Sequence, residues 1–295
     1  MRRRLRLLLT LVLTSAVAVP LAAWQWPLSE FRIDTGFGQP RNGVMSTGIR
    51  LSAEEPQVRA AHPGELVFSR TEDAVTGLPH GLGNLAVIEH EDGLRSIYSN
   101  MGTIDRPLGP ELAQGDVLGT VGVSGFAYGD QLGFHLTDVE LQRLVNPLLI
   151  LPPLTDEIAP VVAGVFLLRD GETVRLNRRS SVAGGVEYVL LIEAYDTVAS
   201  PQGTRRIPPM ELSVSLGEEE ERRIRFETLQ YRDGSFVLTS GHALNDLYAT
   251  ETRLRIGSIR VGSEPLRLAV RVEDFAGNRG SAEYILVPAQ EGGGS

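Results

Sequence analysis

Glycines recur every few residues between positions 111 and 147 and divide this stretch into short segments. Glycine permits tight turns and close backbone approach, and β-branched residues such as Val117, Val121 and Val123 lie between the glycines. Residues 24–154 show no convincing recurrence of apolar positions every 3.6 residues, the pattern that an amphipathic helix requires. This half of the chain therefore predicts an antiparallel β domain with long loops.

Two more segments of this half predict strands. Residues 83–90 and 94–98 are apolar segments separated by the turn signal Glu-Asp-Gly, a pattern typical of a β-hairpin. Residues 58–68 predict two strands separated by a turn at Pro63 and Gly64. These predictions extend the β domain over residues 24–150.

The second half of the chain has a different sequence pattern. Residues 151–160 contain three prolines and predict a linker. Beyond it, apolar and polar residues alternate at 210–216 and 266–272, as in strands with one buried face. We therefore predict a C-terminal immunoglobulin-like β-sandwich over residues 161–290, followed by a flexible tail at 291–295. The fold class is all-β.

The first 23 residues read as a targeting segment. An arginine-rich start precedes an apolar run, which is typical of an export signal. The alternative is an uncleaved membrane anchor, although the run is short for a transmembrane helix. We expect an exported protein of the periplasm or cell envelope, with membrane contact only through this segment if it is not cleaved.

Composition excludes several classes of function. The chain has no cysteine, so a lipid-anchored lipoprotein, a disulfide framework and thiolate chemistry are excluded. The 28 basic and 37 acidic side chains give a net charge of −9. Four of the arginines lie in residues 1–23, so the remainder carries −13. A protein this acidic repels nucleic acid, and we expect no nucleic-acid partner.

Five motifs of residues 30–150 occur in the order of a known family. They are the box Ser-Thr-Gly-Ile-Arg at 46–50, the strand pair around 58–64, the hairpin at 83–101, the glycine-rich pair at 115–125, and His-Leu-Thr at 135–137 with Asn-Pro at 146–147. This order resembles the lysostaphin/LytM-type peptidoglycan endopeptidases, which are built on the duplicated-hybrid-motif fold. The resemblance implies a β fold with a substrate groove.

The family's catalytic residues do not carry over. The resemblance implies a zinc ion held by the His and Asp of the first box and by the second His of a His-x-His strand. The matching positions are Ser46, Arg50 and Thr137. One of the two non-ligand catalytic histidines matches Asn100, and the other matches His135. Because hydroxyls are poor zinc ligands and arginine is a permanent cation, we expect no metal, no cofactor and no catalytic residue.

The alignment slips by one residue after position 137. The family's His-x-His is followed by Phe-Glu, whereas here Glu140 comes one position late. A one-residue offset moves side chains across a sheet, so the placement of Thr137 depends on it. A rebuilt metal site from His135, His80 and Asp138 is an alternative. Arg50 would otherwise pair with a local acid such as Asp138 or Glu140.

Three other features allow a structural interpretation. His62 precedes Pro63 in a turn and His90 ends a strand, so both are interpreted as surface or turn residues. Asp-Phe-Ala-Gly-Asn at 274–278 is interpreted as a turn that the aspartate caps. A calcium site there is an alternative, although no second acidic cluster is evident in the sequence.

Three functions follow as expectations. The first is a catalytically inactive LytM-type envelope protein that binds peptidoglycan or a cell-wall hydrolase and acts as a regulator or scaffold. Its degenerate groove would comprise Ser46, Arg50, Asn100, His135 and Thr137. The second is an active zinc endopeptidase with a rearranged metal site. The third is a purely structural or adhesion module.

Overall fold

The computed structural model describes residues 23–72, 81–105, 109–127, 129–200, 203–218 and 221–289. The predicted export signal, apart from its last residue, and the predicted tail at 291–295 lie outside the described residues, as does His80. Among the described residues, no helix has the length and apolarity needed to cross a membrane.

The first half of the chain consists of short strands. They are β1 Phe31–Thr35, β2 Pro40–Arg41, β3 Val44–Met45, β4 Ile49–Ala53, β5 Gln57–Arg59, β6 Gly64–Arg70, β7 Asn84–Glu89, β8 Leu94–Ile104, β9 Glu111–Leu112, β10 Val117–Val121, β11 Leu132–Asp138 and β12 Arg143–Val145. A single 3₁₀ turn, Pro147–Leu149, follows β12. The predicted hairpin is confirmed as β7 and β8, which pair antiparallel across Gly93.

The second half contributes longer strands. They are β13 Val161–Arg169, β14 Glu172–Arg175, β15 Arg179–Ala183, β16 Glu187–Ser200, β17 Gly203–Ile207, β18 Glu211–Leu216, β19 Arg222–Arg225, β20 Thr228–Arg232, β21 Ser235–Leu238, β22 Arg253–Arg260, β23 Leu266–Glu273 and β24 Arg279–Ala289. One helical turn, α1 Leu244–Leu247, precedes β22. The all-β fold class with antiparallel sheets is therefore confirmed.

The strands of the second half form two five-stranded sheets. In the first sheet the strand order is β14-β13-β16-β17, and β22 also pairs with β16. In the second sheet the strand order is β15-β24-β23-β18-β19. Apolar side chains of both sheets form one buried cluster, which includes Val165, Ile192, Val214, Val270 and Leu286. This arrangement is a β-sandwich, because the inward face of each strand carries the apolar members of the alternating pattern. The immunoglobulin-like type remains a prediction.

The first half forms most of a twelve-stranded sheet, and β20 and β21 of the second half complete it. Its main path is β21-β20-β12-β11-β8-β7-β6-β9, and β4 and β10 branch from β11 and β8. Strand β20 pairs with β12 in the register Val145 to Thr228. A hairpin that follows the linker by more than sixty residues thus extends the N-terminal sheet.

The predicted linker packs against both halves. The Trp26 indole nitrogen donates to the carbonyl of Pro152 at 3.1 Å. The Asn278 side chain donates to the carbonyl of Asp156 at 3.1 Å. A methyl group added at Gly280 would lie 2.0 Å from the Pro160 carbonyl oxygen. Residues 151–160 therefore follow a defined path between the sheets.

Candidate functional site

The first motif box lies at the start of β4, beside β11. Arg50 on β4 pairs with Gly133 on β11, and Ile49 pairs with Phe134. Strand β8 flanks β11 on its other side, where Gly133 pairs with Ser99. This pairing explains why residues far apart in sequence meet at one place.

A cavity of about 460 Å³ opens above this junction. Three of the predicted groove residues line it, namely Ser46, Arg50 and His135. The remainder of its wall comes from Thr35, Arg41, Val44, Met45, Thr47, Gly81, Leu82 and Phe126. Asn100 is not part of this wall, but its side-chain oxygen accepts a hydrogen bond from Arg50.

His135 lies directly over Gly48. A Cβ atom at position 48 would lie 2.6 Å from the Nδ1 atom of His135 and 2.4 Å from the Phe134 carbonyl oxygen, so only glycine fits there. The imidazole Nδ1 lies 3.3 Å from the Thr47 hydroxyl, and Nε2 lies 3.4 Å from the Ser99 hydroxyl. Both ring nitrogens therefore have hydroxyl neighbours.

The protonation of His135 is shifted by its surroundings. Removal of the imidazole from water, followed by the nearby positive charge of Arg50, lowers its pKa from 6.5 to about 4. Contact with Thr47 opposes this shift but does not cancel it. His135 is therefore neutral at pH 7.

Arg50 contacts the side chain of Asn100. Its Nη1 donates to the Asn100 side-chain oxygen at 3.3 Å. Asp138 instead receives Arg143, whose Nε and Nη2 atoms both lie 3.2 Å from its carboxylate. The pairing of Arg50 with a local acid such as Asp138 or Glu140 stays a prediction.

Asn100 is held in an unusual conformation. It is 1% exposed and has a φ of 59°, in the left-handed region that side chains other than glycine rarely adopt. Its amide donates to the Ser124 carbonyl at 2.9 Å and to the Gly81 carbonyl at 3.3 Å. These bonds compensate for the backbone strain and fix the oxygen that faces Arg50.

Thr137 is not brought to the cavity. It is absent from the cavity wall and pairs with Arg95 on β8 and Leu144 on β12, two residues beyond His135 along the strand. The residue of β11 that faces the first box is His135.

The structure corrects the interpretation of His62 and His90 as surface or turn residues. They are only 7% and 4% exposed. The indole of Trp24 stacks on His62 at 4.8 Å and meets His90 edge-on at 4.7 Å. His90 also contacts the Pro63 carbonyl and the Ser96 hydroxyl, each at 2.8 Å. An aromatic partner from the start of the described chain buries both rings, and a local reading of the sequence does not reveal it.

Sequence reasoning also missed an acidic cluster. The interpreted turn is confirmed, because the Asp274 carboxylate accepts the Ala276 and Asn278 amides at 2.9 and 2.8 Å. Asp156 and Asp196 lie beside it, with one carboxylate oxygen from each of the three residues within 4.8 Å of the others. Burial and the two neighbouring carboxylates raise the pKa of Asp196 to about 7. The three residues come from the linker, strand β16 and the turn after β23, so sequence spacing carries no signal of the cluster.

Comparison with known proteins agrees with the N-terminal geometry. Residues 44–147 match the model of Peptidase family M23, and residues 159–287 match a separate family model that carries no description. The family match and the relatives below support a LytM-type peptidase M23 domain in the first half of this chain.

Two curated relatives share this region. The chain is 27% identical over 132 residues to the cell division protein DipM of Caulobacter vibrioides. This alignment covers 43% of this chain and 20% of DipM. The chain is also 26% identical over 140 residues to the murein hydrolase activator NlpD of Salmonella dublin. This second alignment covers 47% of this chain and 34% of NlpD. The matches therefore span about a third of NlpD and a fifth of DipM.

One solved structure covers the same part of the chain. It is a mutant catalytic domain of the prophage-encoded M23 protein EnpA from Enterococcus faecalis. The match is 26% identical, covers 42% of this chain and 94% of the EnpA chain, and has a TM-score of 0.35.

Proposed function

We propose that this protein is an exported, catalytically inactive LytM-type protein that regulates or scaffolds cell-wall hydrolysis. The observation that carries the proposal is the guanidinium of Arg50 on the wall of the groove, at the position where the family resemblance implies an acidic zinc ligand. The relatives' names, a murein hydrolase activator and a cell division protein, support a role at the cell wall.

The residues of the first box do not fit a zinc ion. A catalytic zinc takes three nitrogen, sulfur or carboxylate ligands and keeps one position for water. Ser46 offers a hydroxyl that already donates to the Gly48 carbonyl at 2.8 Å, and Arg50 offers only a positive charge. A divalent cation about 4 Å from a guanidinium is repelled by roughly 8 kcal/mol at an effective dielectric of 20. His135 alone does not offset this repulsion.

The rearranged zinc site finds little support among the described residues. Asp138 is engaged by Arg143, and His80 lies outside the described part of the chain. Within that part, the group of three metal-competent side chains is the Asp156 cluster, which contains no histidine. We therefore retain inactivity as the proposal over a relocated peptidase site.

We also propose two domains, at residues 24–150 and 161–290, joined by the linker at 151–160. The pairing of β20 with β12 couples them, since the hairpin of the second half completes the sheet of the first. Such coupling suits a scaffold that presents the groove at a fixed orientation.

The proposal is tested with dye-labelled sacculi. This protein alone should release no dye, whereas it should change the release caused by an added N-acetylmuramoyl-L-alanine amidase. Arg50→Ala should reduce that change, and Arg95→Ala, on the neighbouring strand β8, serves as the control. Dye release by this protein alone would contradict the proposal. An amidase rate unaffected by the wild-type protein would favour the structural or adhesion alternative.

A further inference from the structure

The first sheet of the sandwich has an outer face that is rich in arginine. Val165 on β13 pairs with Ile192 on β16, and both belong to the sandwich core. Because successive side chains of a strand alternate between the two faces, the neighbouring pair Phe166 and Leu191 lies on the outer face. The registers place five arginines on the same face, which we call the arginine face: Arg175 on β14, Arg206 on β17, and Arg253, Arg255 and Arg260 on β22.

The arginine side chains cover apolar groups on this face. Phe166 and Leu191 are only 5% and 2% exposed, although neither is part of the buried core clusters that the described residues form. The guanidinium carbons of Arg253 and Arg175 lie 4.0 and 5.8 Å from the centre of the Phe166 ring. Arginine stems bury apolar surface while their charged ends stay in water. The arginine face therefore presents charge, and its apolar side chains lie beneath.

The charge of the arginine face is only partly balanced. Its strands carry two acidic side chains on this side, Glu187 and Glu193. Arg253 lies 3.9 Å from the Glu193 carboxylate. Within the described part of the chain, no carboxylate oxygen lies within 4 Å of the other four guanidinium groups. Five arginines and two glutamates leave a local charge of +3 on a chain whose net charge is −9. Such a face attracts anions.

The outer face of the second sheet shows the opposite arrangement. Five arginines there each have a glutamate oxygen at 2.5–3.1 Å: Arg223 and Arg271 with Glu221, Arg225 with Glu211, Arg267 with Glu283, and Arg279 with Glu273. Exposed ion pairs of this kind leave little charge for a partner. The two outer faces of one sandwich therefore differ in charge, and only the arginine face has a clear excess of positive charge.

The arginines are spread in two dimensions. Arg175, Phe166, Leu191 and Arg255 form one row across β14, β13, β16 and β22, so the two arginines lie three strand spacings apart, about 14 Å. Along β16 the partners of Arg260 and Arg206 are ten residues apart, or about 33 Å. An acidic peptide presents its charges along a line. An array with these two dimensions fits a surface of repeated anions better.

We propose that the arginine face docks on the anionic phospholipid surface of a membrane. The planar guanidinium group offers paired donors to a phosphate. The acidic groups on other faces do not prevent this contact, because at physiological salt charges are screened beyond about 8 Å. The predicted targeting segment would bring the chain to a membrane, and the docking contact is separate from that segment and from the groove.

The test exploits the absence of cysteine, since a single introduced thiol can carry a fluorophore. Ser258→Cys labels the arginine face, and Ser281→Cys labels the outer face of the second sheet. The full chain is titrated with vesicles of equal parts phosphatidylglycerol and phosphatidylcholine, which contain a headgroup spin label as quencher. At low salt, the fluorophore at position 258 should be quenched and the one at 281 should not. High salt or pure phosphatidylcholine should abolish the quenching.

Charge removal tests which arginines are responsible. In the labelled Ser258→Cys protein, Arg255→Gln combined with Arg260→Gln should weaken the apparent affinity at least about tenfold, because each guanidinium near an anionic surface contributes about fivefold. Arg267→Gln combined with Arg271→Gln is the matched control, since both arginines are paired with glutamates, and it should have no effect. Circular dichroism checks that each variant is folded.

Four results would overturn the inference. They are equal quenching at positions 258 and 281, equal quenching by pure phosphatidylcholine, an unchanged affinity of the folded Arg255→Gln and Arg260→Gln variant, and binding of polyglutamate without binding of the vesicles, which would indicate an acidic protein partner. Residues 1–23 are present in every variant, so their own affinity for lipid does not create a difference between the two labelled positions. The dye-release assay of the groove is independent of these results.

Discussion

The protonation of His135 gives a quantitative test of the groove geometry. Its pKa is lowered from 6.5 to about 4, chiefly by burial and then by Arg50. Below pH 6.5 the unfolded chain therefore binds a proton at this position that the folded chain does not. The corresponding stability is fully present above pH 6.5 and is lost as the pH falls towards 4.

The size of the effect follows from the two pKa values. Between pH 7.5 and 5.0, a shift from 6.5 to about 4 corresponds to a loss of about 2 kcal/mol. His135 is partly exposed to the cavity, so water screens part of this energy. We expect a loss of about 1–2 kcal/mol from this single group.

The assay is urea unfolding of the wild-type protein and of His135→Gln at pH 7.5 and 5.0. Glutamine does not titrate, so the wild-type protein should lose about 1–2 kcal/mol relative to the variant over this interval. The raised pKa of Asp196 opposes acid destabilisation, but Asp196 is present in both proteins and cancels in the difference. A difference between the two proteins that stays constant with pH would refute the predicted environment of His135.

Two further substitutions test how the halves are joined. Asn146→Ala should destabilise the protein by about 2–4 kcal/mol in urea unfolding, because the buried amide donates to the Phe226 carbonyl at 2.7 Å and its oxygen accepts the Leu148 amide at 3.1 Å. A loss below about 1 kcal/mol would argue against the buried bond. Gly280→Ala should cost about 1–3 kcal/mol and increase proteolysis within residues 151–160, since its methyl group would collide with Pro160; unchanged proteolysis and stability would contradict the described path of the linker.

The sequence predicted the parts of the fold that depend on neighbouring residues. The hairpin of β7 and β8 is encoded by two apolar segments around a turn at Gly93, which has a φ of 81°. The strict alternation at 210–216 and 266–272 predicted β18 and β23, which pair with each other. These patterns depend on neighbouring residues alone, so they can be recognised without knowledge of the tertiary structure.

The pairing of β20 with β12 could not be predicted from the sequence of either strand. Nothing near Thr228 indicates that its strand joins β12, more than eighty residues earlier. Register across a sheet is set by the partner's pattern and by packing, neither of which is visible in one segment. The same reason explains the acidic cluster of Asp156, Asp196 and Asp274.

The candidate site was predicted in part. The box at 46–50 and the strand carrying His135 meet as the order of motifs implied, because β4 pairs with β11. Thr137 does not line the cavity, and the second guanidinium of Arg41 was missed. Arg41 lies in a turn-rich segment whose side-chain direction depends on Thr35, a residue of another strand.

The central claim is that this groove works without a metal ion and without hydrolysis. Metal analysis of the purified full-length protein, combined with chromatography of muropeptides released from sacculi, tests it most directly. We predict substantially less than one zinc per chain, and no cleaved cross-bridges above a buffer control. One tightly bound zinc per chain together with cleaved cross-bridges would contradict the claim.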